Sequence, residues 1–236
     1  MPSTPPTRAG AAERGLEPGG VSRRGAVIGA AAALLLAVVI GVIVLAVRNG
    51  DNPVDAWWAG VMASLRLSAP WYLDVAHALD WFGGGWRGIV AVPLVVIAAL
   101  LMARRRWGAL YFALATLGGA AAVQLLKGLF ARERPQDMLV TSDFGSFPSG
   151  HVANAAVMAL VLALLIRRAW MWVLGALYVM AMLVARTALS AHWLTDTLGG
   201  IAVAVGVVAL LGAALWQPLQ RERMGKDRAG ETQAGV

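Results

Sequence analysis

Long apolar stretches without charged side chains alternate along this chain with shorter polar ones. Three of these stretches contain 23, 20 and 24 residues and lie at 25–47, 107–126 and 197–220. An α-helix rises about 1.5 Å per residue, so about 20 apolar residues cross the roughly 30 Å hydrocarbon core of a bilayer. Each of the three stretches is therefore predicted to be a transmembrane helix.

Three shorter apolar stretches, at 88–103, 152–166 and 169–185, reach the same length if a basic or histidine side chain at one end extends to the membrane surface. The pattern then predicts an all-α, polytopic membrane protein built as a bundle of six transmembrane helices. The predicted spans are about 25–47, 84–103, 107–127, 150–166, 169–186 and 196–216. Residues 51–82 interleave Trp, Tyr and Leu with charged residues, which predicts an outer helical segment at the membrane interface.

The composition favours the same class of protein. Hydrophobic residues make up 59% of the chain and charged residues 14%, whereas an average soluble domain is about one quarter charged. The longest apolar stretches have no polar face to turn to water, which argues against a soluble helical protein.

Ser22-Arg23-Arg24 before the first stretch resembles a signal peptide, but the apolar run exceeds the usual length of about 7–15 residues. An uncleaved first span is therefore expected. Cysteine is absent, which excludes disulfide scaffolds and a cysteine nucleophile.

The distribution of charge predicts the orientation in the membrane. With six spans, one side carries thirteen of the twenty basic residues and a net charge of +8, and the other side has a net charge of −1. Basic loops face the cytoplasm, so both termini are expected there. The overall charge of +7 is thus explained by topology, and nucleic acid is not an expected partner.

Residues 1–24 are predicted to be a disordered cytoplasmic arm, 25–217 the six-span domain, and 218–236 a polar cytoplasmic tail without structure.

Polar residues that topology does not explain cluster at the outward ends of the last four spans. They are Lys127, Arg132, Arg134, Ser149, Gly150, His151, Arg186, His192 and Asp196. An ionisable group at membrane depth costs roughly 2.5–3.5 kcal/mol on insertion scales, so such a group indicates a function. Four cations beside one cleft suit a multiply charged anion, and arginine matches phosphate oxygens in pairs. The start of the fourth span adds backbone N–H groups that favour an anion.

The histidines supply a means of covalent chemistry at this anion site. His192 and Asp196 are four residues apart, so they can meet on one helical turn. A carboxylate that holds one imidazole nitrogen fixes the tautomer and leaves the other nitrogen free to attack. His151, on a neighbouring span, is placed to protonate a leaving oxygen.

The same residues carry a resemblance to a known family. Residues 127–135, KGLFARERP, fit K-x6-R-P; residues 148–151 are PSGH; and residues 186–196, RTALSAHWLTD, fit R-x5-H-x3-D. In this order and spacing they resemble the three-part signature of the type 2 phosphatidic acid phosphatase (PAP2) superfamily. Ala185 departs from the signature, because the family often has Ser before the arginine.

The resemblance implies a role for each matching residue. Lys127, Arg134 and Arg186 would bind the phosphate oxygens, assisted by Ser149 and the amide of Gly150. His192 would attack phosphorus and form a phosphohistidine, with Asp196 orienting its ring. His151 would protonate the departing group and then activate water. No metal ion or other cofactor is implied, because the cations take over the charge role of a metal.

For other polar residues of the outer side, the sequence predicts no definite part in catalysis. Arg132 lies outside the fixed positions of the signature, and both a place near the phosphate and a solvated place stay open. Acidic residues of the following loop are expected to be loop acids rather than catalysts, and a histidine of the outer segment is expected to be structural. These residues are Glu133, Asp137, Asp143 and His77.

The resulting hypothesis is a multi-pass enzyme of the plasma membrane with its active site facing outside. Its substrate would be a lipid phosphate or diphosphate such as phosphatidic acid, phosphatidylglycerol phosphate or undecaprenyl diphosphate, with membrane lipids around it. A lipid phosphotransferase using the same phosphohistidine is the alternative. A transporter or non-catalytic membrane protein is disfavoured, because the spans carry almost no charge near their centres. The oligomeric state is left open.

Overall fold

The computed structural model describes residues 22–47 and 52–234, and every regular element in those residues is helical. A π-helical turn, Arg87–Ala91, leads directly into the fourth α-helix. The α-helices are α1 (Arg23–Ala46), α2 (Pro53–Ser68), α3 (Tyr72–Gly83), α4 (Val92–Met102), α5 (Arg106–Phe130), α6 (Gly150–Ile166), α7 (Ala169–Ala188), α8 (Leu194–Ala214) and α9 (Trp216–Ala234). The all-α prediction is therefore confirmed for the described part of the chain.

Four of these helices, α1, α5, α7 and α8, are long and apolar enough to cross a membrane. The segment Arg87–Met102 passes the same test only together with α3, and the pair is bent by 54° at the break between them. Helix α6 is apolar but shorter, with 17 residues. The described residues thus contain four or five candidate spans, and the sixth predicted span stays a prediction. Residues 53–68 and 72–83 are helical, but their position at the membrane interface is likewise still a prediction.

Helix α8 lies at the centre of the bundle and contacts α1, α5 and α6. Small residues allow these contacts, because helices in a bilayer associate by close packing rather than by hydrophobic burial. A methyl group added at Gly200 would lie 2.6 Å from the backbone oxygen of Ser149. Glycine at this position therefore lets α8 approach the start of α6, where two of the sequence motifs meet.

The outer surfaces of several helices are apolar, as expected where helices face lipid. On α1, the side chains of Ile28, Leu35 and Leu45 are all more than half exposed. A soluble monomer rarely leaves so large a continuous apolar surface exposed. The bundle therefore has the surface of a membrane protein.

The prediction of an unstructured tail after residue 217 is wrong, because the chain forms α9 there. Glu222 of α9 accepts hydrogen bonds from the backbone N–H groups of Trp107 (2.8 Å) and Gly108 (3.1 Å). The first N–H groups of a helix lack partners within it, and a carboxylate at that end is stabilised by the helix dipole. This contact holds α9 against the start of α5.

The predicted disordered arm lies almost wholly outside the described residues, which begin at Ser22. The side-chain oxygen of Ser22 accepts a hydrogen bond from the N–H of Gly25 and caps α1. Arg23 and Arg24 belong to the first turn of that helix rather than to an arm. The first span thus begins two residues earlier than the sequence pattern indicates.

Candidate active site

The three sequence motifs meet at one end of the bundle. The end of α5, the loop 131–149, the start of α6 and the turn between α7 and α8 come together there. The N–H of Ser149 donates to the backbone oxygen of Asp196 at 2.9 Å, which joins the second motif to the third. Arg134 donates to the backbone oxygen of Ala191 at 2.5 Å, which joins the first motif to the third.

His192 lies in the turn between α7 and α8 with its two ring nitrogens in different surroundings. Its Nδ1 is 3.5 Å from Oδ2 of Asp196, and its Nε2 is 3.2 Å from Nη1 of Arg134. Burial, together with the charges of Arg186 and Arg134, lowers the pKa of His192 to about 3, although Asp196 opposes this shift. The imidazole is therefore neutral near pH 7, which is the form required for attack on phosphorus.

Asp196 is held rigidly at the first turn of α8. Its Oδ2 accepts hydrogen bonds from the N–H of Trp193 (2.9 Å) and from the hydroxyl of Ser146, and the carboxylate is fully buried. Helix starts favour a carboxylate in this position, because it satisfies a free N–H and interacts with the helix dipole. The helix start therefore fixes the carboxylate that faces the His192 ring.

Two of the predicted phosphate-binding cations share one carboxylate. Oδ1 of Asp143 is 2.7 Å from Nζ of Lys127 and 2.8 Å from Nη2 of Arg134. Burial alone would raise the pKa of Asp143, but the hydrogen bond and charge of Lys127 outweigh it, so that the pKa lies below its ordinary value. A single acidic oxygen thus lies at the point where both cations converge.

Arg186 and His151 share a second carboxylate, that of Asp80 on α3. Nη1 of Arg186 binds Oδ1 of Asp80, and Nε2 of His151 is 3.2 Å from the same oxygen. The end of α3 can approach His151 closely because residue 84 is a glycine. A methyl group at Gly84 would overlap the His151 ring. The carboxylate of Asp80 thereby links the predicted general acid to a predicted phosphate-binding arginine.

Ser149 and Gly150 occupy the start of α6, with Ser149 as the N-cap residue. The Ser149 hydroxyl and Nε of Arg186 are buried and have no hydrogen-bond partner among the described residues. Buried polar groups are nearly always hydrogen-bonded, and an exception calls for a ligand or a functional explanation. Both groups thus have an unused hydrogen-bonding capacity beside the other predicted site residues.

A cavity of about 370 Å³ opens beside these residues. Lys127, Gly150, His151 and His192 line it, together with residues of α5 and α6 below them. The other predicted site residues are not part of the lining; these are Arg134, Ser149, Arg186 and Asp196. A second cavity of about 380 Å³ lies at the opposite end of the bundle and is lined by none of the motif residues. The first cavity is therefore the candidate active site.

Comparison with known proteins gives this arrangement a family. A family model described as "PAP2 superfamily" matches residues 108–220, which include all three motifs. This region, with all three motifs, belongs to the PAP2 superfamily.

Individual PAP2 proteins resemble the chain over most of its length. Phosphatidylglycerophosphatase B of Bacillus subtilis (strain 168) is 26% identical over 170 residues, which are 67% of this chain and 79% of that protein. The crystal structure of a transmembrane PAP2-type phosphatidylglycerolphosphate phosphatase from Bacillus subtilis matches with a TM-score of 0.65 and 22% identity, over 78% of this chain and 94% of that one. LpxE of Aquifex aeolicus matches with a TM-score of 0.53 and 24% identity, over 63% of this chain and 93% of that one. The family and the phosphatase class predicted from the motifs are thus confirmed, and the two crystal structures share the fold.

Three acidic residues that the signature does not contain contact basic residues or His151 at this end of the bundle. Asp80 and Asp55 belong to the segment 51–82, where their spacing indicates only amphipathic helices. Asp143 is an acid of the loop 131–149, as predicted, and in addition it pairs with Lys127 and Arg134. In contrast, Asp137 pairs with Arg66 at 3.1 Å, away from the cavity lining, as expected for a loop acid.

Of the two positions left open for Arg132 by the sequence, the solvated one is wrong. It is 4% exposed and forms ion pairs with Oδ2 of Asp55 (2.7 Å) and Oδ1 of Asp196 (2.6 Å). It is therefore not solvated, and it binds the carboxylate behind His192 rather than lying on the cavity. The sequence gives no signal for this role, because the partners of Arg132 lie 77 and 64 residues away along the chain.

Proposed function

We propose that this PAP2 membrane phosphatase hydrolyses a lipid phosphate or diphosphate at the outer face of the plasma membrane through a phosphohistidine on His192. The observation that carries the proposal is the placement of His192. Its Nδ1 faces Asp196, its Nε2 faces Arg134, and the residue lines the cavity. A neutral imidazole held in this way presents Nε2 as the nucleophile.

The first step transfers the phosphoryl group to the enzyme. Nε2 of His192 bonds to phosphorus as the bond from phosphorus to the leaving oxygen breaks. Lys127, Arg134 and Arg186 bind the phosphate oxygens, with the Ser149 hydroxyl and the Gly150 amide as further donors. Preorganised donors of this kind contribute about 3 kcal/mol each to transition-state stabilisation.

His151 manages the proton in both steps. In the first step it gives a proton to the departing alcohol or phosphate. In the second step it takes a proton from the water that attacks the phosphohistidine, and inorganic phosphate leaves. Its contact with Asp80 supports this role, because the carboxylate, 3.2 Å from Nε2, holds the ring beside the cavity that His151 lines.

The cavity and the relatives support a lipid as the substrate. Below the motif residues the cavity continues between α5 and α6 past apolar side chains such as Val123 and Val157. This lining suits the tail of a lipid whose head group lies against the cations. The Bacillus subtilis relatives are named for phosphatidylglycerol phosphate, which supports that substrate beside phosphatidic acid and undecaprenyl diphosphate.

The test is phosphate release from these three lipids by the purified protein in detergent with EDTA present. The wild-type protein should release phosphate from at least one lipid, and His192→Ala should lose roughly 10³-fold or more of that activity. His77→Ala, a histidine of α3 outside the cavity lining, is the matched control and should retain activity. Brief incubation with ³²P-labelled lipid should label the wild-type protein and leave His192→Ala unlabelled.

Other results would contradict separate parts of the proposal. Absence of release from every lipid would refute the hydrolase, and a rise in labelled acceptor lipid would identify a phosphotransferase instead. Full dependence on added metal would refute the metal-free mechanism. Undiminished activity in His192→Ala would refute the phosphohistidine intermediate.

A further inference from the structure

A buried chain of three charges connects the outer segment to the nucleophile. Asp55 of α2 binds Arg132, Arg132 binds Asp196, and the carboxylate of Asp196 faces His192. The side chains of Asp55 and Asp196 are 0% exposed and that of Arg132 is 2% exposed. None of the three lines the cavity of about 370 Å³ that is the candidate active site, and Asp55 lines a smaller cavity of about 130 Å³ together with His192.

The charges of these three side chains do not cancel. Two carboxylates share one guanidinium, which leaves a net charge of −1 beside a histidine that is neutral before reaction. When Nε2 of His192 attacks phosphorus, positive charge develops on the imidazole. The surplus negative charge lies where it stabilises that form, and in a buried site such an interaction is stronger than in water.

Without the charge on Asp55, the net charge of the remaining pair, Arg132 and Asp196, would be zero. Arg132 would then pair with Asp196 alone, and its positive charge would neutralise the carboxylate that faces Nδ1. Arg132 binds both carboxylates at the same time, through Nη2 to Asp55 (2.7 Å) and through Nη1 to Asp196 (2.6 Å), so the two acids share its single positive charge.

We propose that Asp55 is a positioning residue for the His192 nucleophile, because its negative charge offsets the Arg132 charge that would otherwise neutralise the Asp196 carboxylate facing that ring. This inference rests on the proposed phosphohistidine reaction. It assigns to the outer helix α2 a part in catalysis that the three motifs do not contain.

A purely mechanical role for Asp55 makes a different prediction. Its carboxylate also accepts hydrogen bonds from the N–H (2.9 Å) and the hydroxyl (2.7 Å) of Thr195, and so ties α2 to the start of α8. If that were its only function, any further loss of contacts in the network would lower activity further. If charge is what matters, removing the opposite charge as well should restore activity.

The experiment compares Asp55→Asn with the double variant Asp55→Asn/Arg132→Gln. In the single variant, kcat should fall roughly 10- to 100-fold with KM within about 2-fold, because the phosphate-binding groups are unchanged. The double variant again has a net charge of −1 at Asp196, and its kcat should return to within about 10-fold of the wild type. Asp74→Asn, the same substitution at an exposed position of α3, is the matched control and should behave as the wild type.

Labelling of the protein by ³²P-labelled lipid on a millisecond scale gives a second readout. Asp55→Asn should slow the formation of the phosphoenzyme, and the double variant should recover it. Thr195→Ala removes the hydrogen bonds of the hydroxyl with Asp55 and Arg132 but none of the charges, so its loss of kcat should be several-fold smaller than that of Asp55→Asn. Melting temperatures in detergent report on folding for every variant.

The outcomes separate this inference from the function on which it depends. A wild-type protein that releases no phosphate would refute both. A wild-type protein that is active, with a folded double variant no better than Asp55→Asn or a Thr195→Ala variant equally impaired, would refute this inference alone. If Asp55→Asn does not fold, the double variant decides by itself, and a folded double variant below about one hundredth of wild-type kcat refutes the proposal.

Discussion

Asp143 places one carboxylate oxygen 2.7 Å from Nζ of Lys127 and 2.8 Å from Nη2 of Arg134. The two cations are those that the PAP2 signature assigns to phosphate, and the Asp143 side chain is 55% exposed on a loop. A phosphate group that binds both cations competes with this carboxylate for the same donors. The exposed loop allows Asp143 to move away at low cost.

Replacement of Asp143 by Asn should therefore strengthen phosphate binding. The amide is neutral and pairs less strongly with the cations, so KM and the inhibition constant for vanadate should fall about 3-fold or more, with kcat within about 3-fold. Steady-state kinetics with vanadate titration measures this. Asp137→Asn changes an acid of the same loop that pairs with Arg66, and it should leave both constants unchanged. A rise in KM for Asp143→Asn would mean that the carboxylate instead holds the cations in place for substrate.

The ring of His192 should not take up a proton in the physiological pH range. Burial and two arginines lower its pKa to about 3 from 6.5. The folded protein therefore keeps the neutral imidazole until the solution is far more acidic than about pH 5. Since the chain has three histidines, selective ¹⁵N-histidine labelling gives a simple spectrum, in which His192→Gln identifies the signal. The His192 nitrogens should keep constant shifts between about pH 4.5 and 8; a titration midpoint in that interval would contradict this prediction.

Gly84 should be required for the position of His151. A methyl group there would overlap Nε2 of the ring, so Gly84→Ala should displace the proposed general acid. Loss of a general acid costs roughly 10²- to 10⁴-fold when the leaving group needs a proton. The variant should therefore lose much more activity on a lipid phosphate than on p-nitrophenyl phosphate, whose leaving group needs little protonation. Gly60→Ala, where a methyl group has no neighbour within 4 Å, is the control. Equal losses on both substrates would argue against the role of His151.

The loop that carries Asp143 should face the outside of the cell. The native chain has no cysteine, so single cysteines can report its topology without a modified background. Met138→Cys, at an exposed position of that loop, should react with a membrane-impermeant maleimide in intact cells. Arg168→Cys, in the exposed turn between α6 and α7, should react only after the membrane is opened. The reverse pattern would invert the orientation predicted from the positive charges.

Much of the fold follows from local properties of the sequence. Windows without charge predicted helices in the right places, because the rise per residue and the thickness of a bilayer are fixed quantities. The predicted boundary between 51–82 and the next span coincides with the end of α3 at Gly83. The helical tail was not predicted, because its contact through Glu222 with the start of α5 joins residues 115 apart and is not visible in a local pattern of hydrophobicity.

The sequence by itself predicted which groups form the candidate site. The order and spacing of the motifs from Lys127 to Asp196 indicated the superfamily, because each motif is a short stretch of the chain. Only the tertiary structure decided what those groups contact. Asp80 meets Arg186 across 106 residues, and Asp55 meets Arg132 across 77 residues. Such pairs depend on how each helix is rotated and packed against the others, so no periodicity along the chain predicts them, and they decide how charge is distributed around His192.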